Sequence, residues 1–255
     1  AFPNAYSDQK NGSANAYLQY RTPLTVSKLS YGQSIDKSTS HDANSINYQE
    51  GSHYDTTQEQ ARLETSINAQ PGTIIVGAEW LSQKLDASDV LDFSGYPDPA
   101  VQTPYDPEDR TVKSAFVGYQ LSESYYDLQA NYRVDDNSQY GNESTYNLGA
   151  AIHPMAGMRI GANYATGFRA PTFNDLYWPG FSNPNLKPER TENTEVFVEY
   201  ANDMQTSRLT GYHTDAEDLI ANATNISEAK IKGLSLTSDW NMDAFIFGLG
   251  YDYLD

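Results

Sequence analysis

Apolar and polar residues alternate along most of this chain. The clearest run places Tyr126, Leu128, Ala130, Tyr132 and Val134 at every second position, with Asp127, Gln129, Asn131 and Arg133 between them. Tyr146, Leu148, Ala150 and Ile152 follow the same rule, interleaved with Asn147, Gly149 and His153. So do Met158, Ile160, Ala162 and Tyr164, then Val196, Val198 and Tyr200, and finally Phe245, Phe247, Leu249, Tyr251 and Tyr253. A period of two sends successive side chains to opposite faces of a strand. A helical period is nearly absent.

Twelve strands are expected, over 14–21, 24–36, 55–69, 73–85, 111–121, 124–134, 144–153, 157–168, 190–201, 206–217, 229–240 and 244–254. The connections alternate in length. Short ones fall at 21–23, 70–72, 121–123, 154–157, 202–205 and 241–243, and long ones at 37–54, 86–110, 135–143, 169–189 and 218–228. This describes an all-β, antiparallel up-and-down sheet with one plain end and one elaborated end.

Alternation alone does not separate a soluble sandwich from a transmembrane barrel, because the two differ only in which face meets water. Three features favour the barrel. The polar faces are rich in Gly, Asn, Gln and Ser, as lumen walls are. Tyrosines such as Tyr20, Tyr31, Tyr119, Tyr125 and Tyr200 cluster at strand ends, where an interfacial girdle sits. Short turns opposite long loops are the barrel's asymmetry.

Composition is compatible with this. The 255 residues carry a net charge of -18, with 20 Tyr, 9 Phe, 3 Trp and no Cys. The acidity argues against nucleic acid as a partner, since phosphates attract Lys and Arg. Aromatic content at 13% argues against disorder. The absence of Cys excludes a disulfide scaffold. No run of apolar residues is long enough for a transmembrane helix, but a spanning strand needs only about ten residues, half of them apolar.

The segment GFRAPTFNDLYWPGFSNPNLKPERTENTEVFVEY, residues 167–200, carries the strongest motif. It resembles a recurrent segment of TonB-dependent outer-membrane receptors, in which a Gly-aromatic-Arg-Ala-Pro step ends one strand and Asn-Pro-x-Leu-x-Pro-Glu leads into the next. Here these are Gly167 to Pro171 and Asn183 to Glu189. The Asp-Asp-Asn-Ser loop opening at 135–138 and the Lys-Ile-Lys-Gly entry at 230–233 are similar to the same family. Within it the chain looks closest to the cobalamin (vitamin B12) transporters of the BtuB type.

The resemblance implies a partial barrel of a Gram-negative outer membrane, all 255 residues belonging to one barrel domain. The family's plug domain, its TonB-contacting motif and its terminal strands are expected to lie outside this stretch. It implies import of a bulky small-molecule nutrient, a corrinoid first and a siderophore or haem second. The partners implied are outer-membrane lipid and, through the plug, the TonB complex. No chemistry on the cargo is implied. A barrel enzyme and a soluble β-sandwich binding protein are the readings from other classes.

Local chemistry suggests where a ligand would sit. Ala170, Trp178, Asn183 and Lys187 each precede a proline and are held extended, so the loop is stiff before any ligand arrives. Tyr96, Tyr105, Tyr177, Trp178 and Phe181 offer aromatic surface, with Asn174 and Asn183 as amide partners. Each of these aromatics also has the plainer reading of packing on its own loop. Asp86, Asp89, Asp92, Asp98, Asp106, Glu108 and Asp109 form an acidic loop with the composition, though not the spacing, of a calcium site. A solvated acidic loop is its plainer reading. No cofactor is required, and calcium is the one candidate. The four histidines stand singly, and His153 reads as a turn-end residue.

Overall fold

The structure is a computed structural model that describes residues 5–41, 52–92, 101–105, 107, 109–226 and 228–255. The strands are β1 (Tyr6–Arg21), β2 (Thr25–His41), β3 (Ser52–Ala69), β4 (Gly72–Ala87), β5 (Val90–Asp92), β6 (Val101–Thr103), β7 (Arg110–Ser122), β8 (Tyr126–Asn137), β9 (Gly141–Met155) and β10 (Met158–Arg169). A one-turn helix α1 (Phe173–Tyr177) precedes β11 (Glu189–Ala201), β12 (Gln205–Glu217), β13 (Leu219–Ala221), β14 (Thr224–Ile226), β15 (Ala229–Met242) and β16 (Phe245–Leu254). Twelve of these strands form one antiparallel sheet in the order β1-β2-β3-β4-β7-β8-β9-β10-β11-β12-β15-β16, each beside its chain neighbour. The pairs β5-β6 and β13-β14 are small hairpins within long connections.

The register turns the sequence alternation into two continuous faces. One row across the sheet reads Leu18, Leu29, Leu63, Ala78, Ala115 and Val134. Another reads Leu128, Ala150, Ala162, Val196, Gly211, Leu234 and Tyr253. These apolar rows are exposed: Leu18 is 71% and Leu63 49% accessible. An apolar face this broad marks contact with something other than water. Lys113, on the same face, lies opposite Trp80 and Asp136 towards the elaborated end.

The opposite face is polar and hydrogen-bonded across the strands. Gln129, Gly149, Asn163, Glu195 and Tyr212 form one of its rows. Side chains on this face reach over intervening strands. Arg133 on β8 meets Glu79 on β4 at 2.9 Å, and Arg159 on β10 meets Asp127 on β8 at 2.8 Å. Such reach, and a cavity of about 1020 Å³ lined from Pro71 to Arg208, make this the concave face.

Two glycines fit this wall to its aromatics. Gly161 lies opposite Phe197 and Gly77 opposite Phe116. A Cβ at Gly161 would stand 2.6 Å from the Phe197 ring. The rings occupy the space that side chains at these glycines would fill, and a guanidinium stands over each: Arg208 3.9 Å from Phe197 and Arg62 4.5 Å from Phe116.

The strands run longer than the apolar pattern predicts. The ladder of β8 and β9 continues to Asn137 opposite Gly141, so the expected long loop at 135–143 is a turn of three residues. The reason is composition. Asp135, Asp136, Asn137, Asn142 and Glu143 look like loop residues, yet beyond the apolar belt both faces of a strand are polar. The first strand likewise begins at Tyr6, eight residues before its apolar pattern starts.

Candidate functional site

All the long connections leave the sheet at one rim, and three of them meet there. The connection between β10 and β11 organises the meeting. It cannot run on as a strand past Ala170, because Pro171 follows. Thr172 caps α1: its side chain accepts from the Asp175 N–H, and the Asp175 carboxylate accepts from the Thr172 N–H at 2.8 Å. The helix stops at Trp178, held extended with ψ 120° before Pro179. Leu176 and Leu186 are buried beneath the loop, and Pro171 is fully buried.

Asn174 is the junction. Its Oδ1 accepts from the phenol of Tyr54 on β3 at 2.9 Å and from the phenol of Tyr105 at 2.5 Å. Tyr105 is 2% exposed, and it packs between Tyr54 at 6.3 Å and Trp178 at 5.2 Å between ring centroids. Burial, with Tyr54 close by, raises the Tyr105 phenol above the ordinary tyrosine range. Arg110, at the start of β7, donates to the carbonyl of Pro171 at 2.7 Å and covers the ring of Phe173. The loop after β12 is tied in as well: Asn225 accepts from the Lys187 N–H at 2.9 Å and donates to the Lys187 carbonyl at 3.0 Å.

This arrangement sorts the residues proposed from sequence. Tyr105, Asn174 and Trp178 come together, but as a packed hub holding loops to one another, with Tyr105 buried. Tyr177 sits half-buried beside them. Phe181 is 75% exposed at the rim. Asn183 is a turn residue, its Oδ1 accepting from the Asn185 N–H at 3.0 Å. Tyr96 lies outside the described residues.

The acidic candidates do not gather among the described residues, where no group of three metal-binding side chains occurs. Asp86 faces His53 at 3.4 Å and Asp109 faces Lys84 at 3.1 Å, while Asp89 is exposed. Asp98, Asp106 and Glu108 lie outside the described residues, as does the side chain of Asp92.

Below the rim, the concave wall carries two ion networks. In one, Glu79 is shared by Arg62 at 3.1 Å and Arg133 at 2.9 Å, and Arg133 also holds Asp135. In the other, Asp127 binds His153 and Arg159, each at 2.8 Å, and Glu199 joins Arg159 to Arg208, each at 3.2 Å. His153 is therefore part of the wall and not merely a turn-end residue. Tyr54, Arg110 and the His153–Asp127 pair carry no sequence signal for these roles, since their partners lie 26 to 120 residues away or in another loop.

Comparison with known proteins places these features in a family. The model of the TonB dependent receptor-like β-barrel family matches residues 1–255. The chain is 35% identical over 163 residues to a vitamin B12 transporter BtuB of Photobacterium profundum, covering 59% of this chain and 27% of that protein. It is 36% identical over 144 residues to a vitamin B12 transporter BtuB of Vibrio vulnificus, covering 52% of this chain and 24% of that one. The chain thus spans about a quarter of the length of these curated relatives. Among solved structures, the siderophore receptor PirA of Acinetobacter baumannii superposes with a TM-score of 0.82 over 97% of this chain and 44% of that one, at 16% identity. That likeness speaks for the fold.

Proposed function

Because this chain belongs to the TonB-dependent receptor β-barrel family, we propose that it forms part of an outer-membrane transporter importing a corrinoid of the vitamin B12 class. The observation that carries the ligand is the 35% identity to a vitamin B12 transporter. The rim agrees with it. Its junctions are phenols, amides and backbone groups with the single guanidinium of Arg110 among them, which suit a bulky ligand rich in amides. A strongly anionic ligand would call for a cage of Arg and Lys. The exposed apolar belt would face lipid. The long loops would stand on the outer surface and take the ligand. The concave wall, with its fixed ion networks and polar amides, would surround a gate domain moved by TonB. The chain's work is then binding and passage, with no bond of the cargo made or broken.

The test is uptake. The complete receptor is placed in a Gram-negative host deleted for its own cobalamin transporter, and labelled cobalamin entry is followed with and without TonB. Uptake that needs both proteins supports the reading. A correctly inserted receptor that restores none, while importing a ferric siderophore, moves the substrate to the other branch of the family.

A further inference from the structure

Beyond Asn147 and Ala165 the ladder between β9 and β10 ends. There, under the 170–188 loop, the concave wall holds a second cavity of about 410 Å³. Arg110, Arg133, Asp135, Asn137 and Tyr140 line it. Arg110 is 6% exposed. Its Nε donates to Gln139 at 2.6 Å and its Nη2 to the Pro171 carbonyl at 2.7 Å. Both acceptors are neutral, and among the described residues no carboxylate forms an ion pair with Arg110. A buried guanidinium without a counter-charge is costly. Asn137 is 2% exposed. Its Oδ1 accepts from the Gln139 N–H at 2.9 Å, but its Nδ2 is buried beside the Tyr140 phenol without a well-formed hydrogen bond. The one carboxylate in the lining, Asp135, is already committed: it accepts from Arg133 at 2.9 and 3.1 Å and from Ser114 at 2.5 Å.

The cavity therefore offers a cation, a buried amide N–H and a phenol, and the one carboxylate in its lining is already committed. One guanidinium balances one negative charge, and the neighbouring Asp135 disfavours a second. We propose that Arg110, Asn137 and Tyr140 form a subsite for a singly charged oxyanion. On the corrinoid reading above, the anion is the phosphodiester that links the nucleotide of cobalamin to its ring.

The test uses the complete receptor and Asn137→Asp, which keeps the side chain's size and its acceptor for Gln139 while replacing the buried donor with an anion. Dimethyl phosphate, a monoanionic phosphodiester, is added at constant ionic strength. It should raise the thermal midpoint of the wild type and leave Asn137→Asp unmoved. Cobalamin is then compared with cobinamide, which lacks the nucleotide and its phosphodiester. Asn137→Asp should weaken cobalamin roughly tenfold, the scale of one charge-assisted hydrogen bond, and cobinamide hardly at all. Equal weakening of both, or none of either, overturns the ligand assignment. A wild type that binds no corrinoid overturns the transport reading, and the dimethyl phosphate arm then decides the subsite alone. Dimethyl phosphate acting only after Asp106→Asn and Glu108→Gln would show that the chain's own carboxylate fills the subsite, and the proposal fails.

Discussion

The guanidinium of Arg208 lies 3.9 Å from the ring centroid of Phe197, which itself covers Gly161 on the next strand. Arg62, Phe116 and Gly77 repeat the arrangement on the other side of the wall. Each ring occupies the space that a glycine leaves open and has a cation over it. A cation–π contact of this kind is worth about 0.5–2 kcal/mol, and the ring position also sets where the arginine meets its carboxylates.

Gly161→Ala should therefore destabilise the barrel by about 1–3 kcal/mol, the usual cost of overpacking. Its Cβ would meet the Phe197 ring at 2.6 Å and the Ala150 carbonyl oxygen at 2.7 Å. Gly250→Ala, also on the concave face, has nothing within 4 Å of a new Cβ and serves as the control. Thermal unfolding of the two variants in detergent reads the difference. Equal midpoints would refute the fitted wall.

The two faces make a second prediction. Spin labels at Leu128 and Leu148 should be quenched by a lipid-soluble relaxant such as oxygen, and labels at Gln129 and Asn147 by a water-soluble one. Gln129 donates to Asn147 at 2.8 Å and Asn147 to Asn163 at 2.8 Å on the concave side. Reversed accessibility would mean that the leucines form the core of a soluble protein.

The rim junction makes a third. Asn174→Ala removes the shared acceptor of Tyr54 and Tyr105 and leaves the buried Tyr105 phenol without it. At about 1–3 kcal/mol for a stranded buried donor, exchange of amide hydrogens across 170–188 should quicken about tenfold or more. The strands below should exchange as before. Tyr105→Phe, which leaves the Tyr54 bond in place, should have the smaller effect. Unchanged exchange in Asn174→Ala would show that the loop is held by its buried leucines alone.

Alkali should open the same junction. Burial of Tyr105 raises its phenol above the usual value near 10. A group raised on folding contributes stability that is complete below its unfolded pKa and lost as pH rises through its folded one. The 295 nm difference titration between wild type and Tyr105→Phe should thus show no phenol ionising near pH 10, and loop protection should persist to that pH. A phenol titrating with the exposed tyrosines would mean that the hub is open in solution.

Much of this fold was legible from residue types because a strand with one apolar and one polar face must alternate. Each of the twelve expected strands has its counterpart in the sheet, and the alternating Leu128 and Gln129 fall on its apolar and polar faces. What composition hid was strand length: once a strand leaves the apolar belt, as at Asp135 to Asn137, it looks like loop. The rim was legible only in part. Proline spacing predicted a stiff loop and marked Trp178 as extended, but nothing local to Asn174 points to Tyr54, 120 residues earlier. The aromatics read as surface offered to a ligand include Tyr105, which the loops have closed over. Pairing between loops depends on how the whole sheet curves, which no short window of sequence encodes.

The central claim is that these loops serve a corrinoid, and equilibrium binding tests it most directly. Cyanocobalamin and a ferric siderophore are each titrated into the complete receptor, purified in detergent with its gate domain present. The account predicts saturable binding of cyanocobalamin that weakens when Asn174 is changed to Ala, with no saturable binding of the siderophore. Saturable siderophore binding with none of the corrinoid, by a receptor whose barrel is intact, would contradict it.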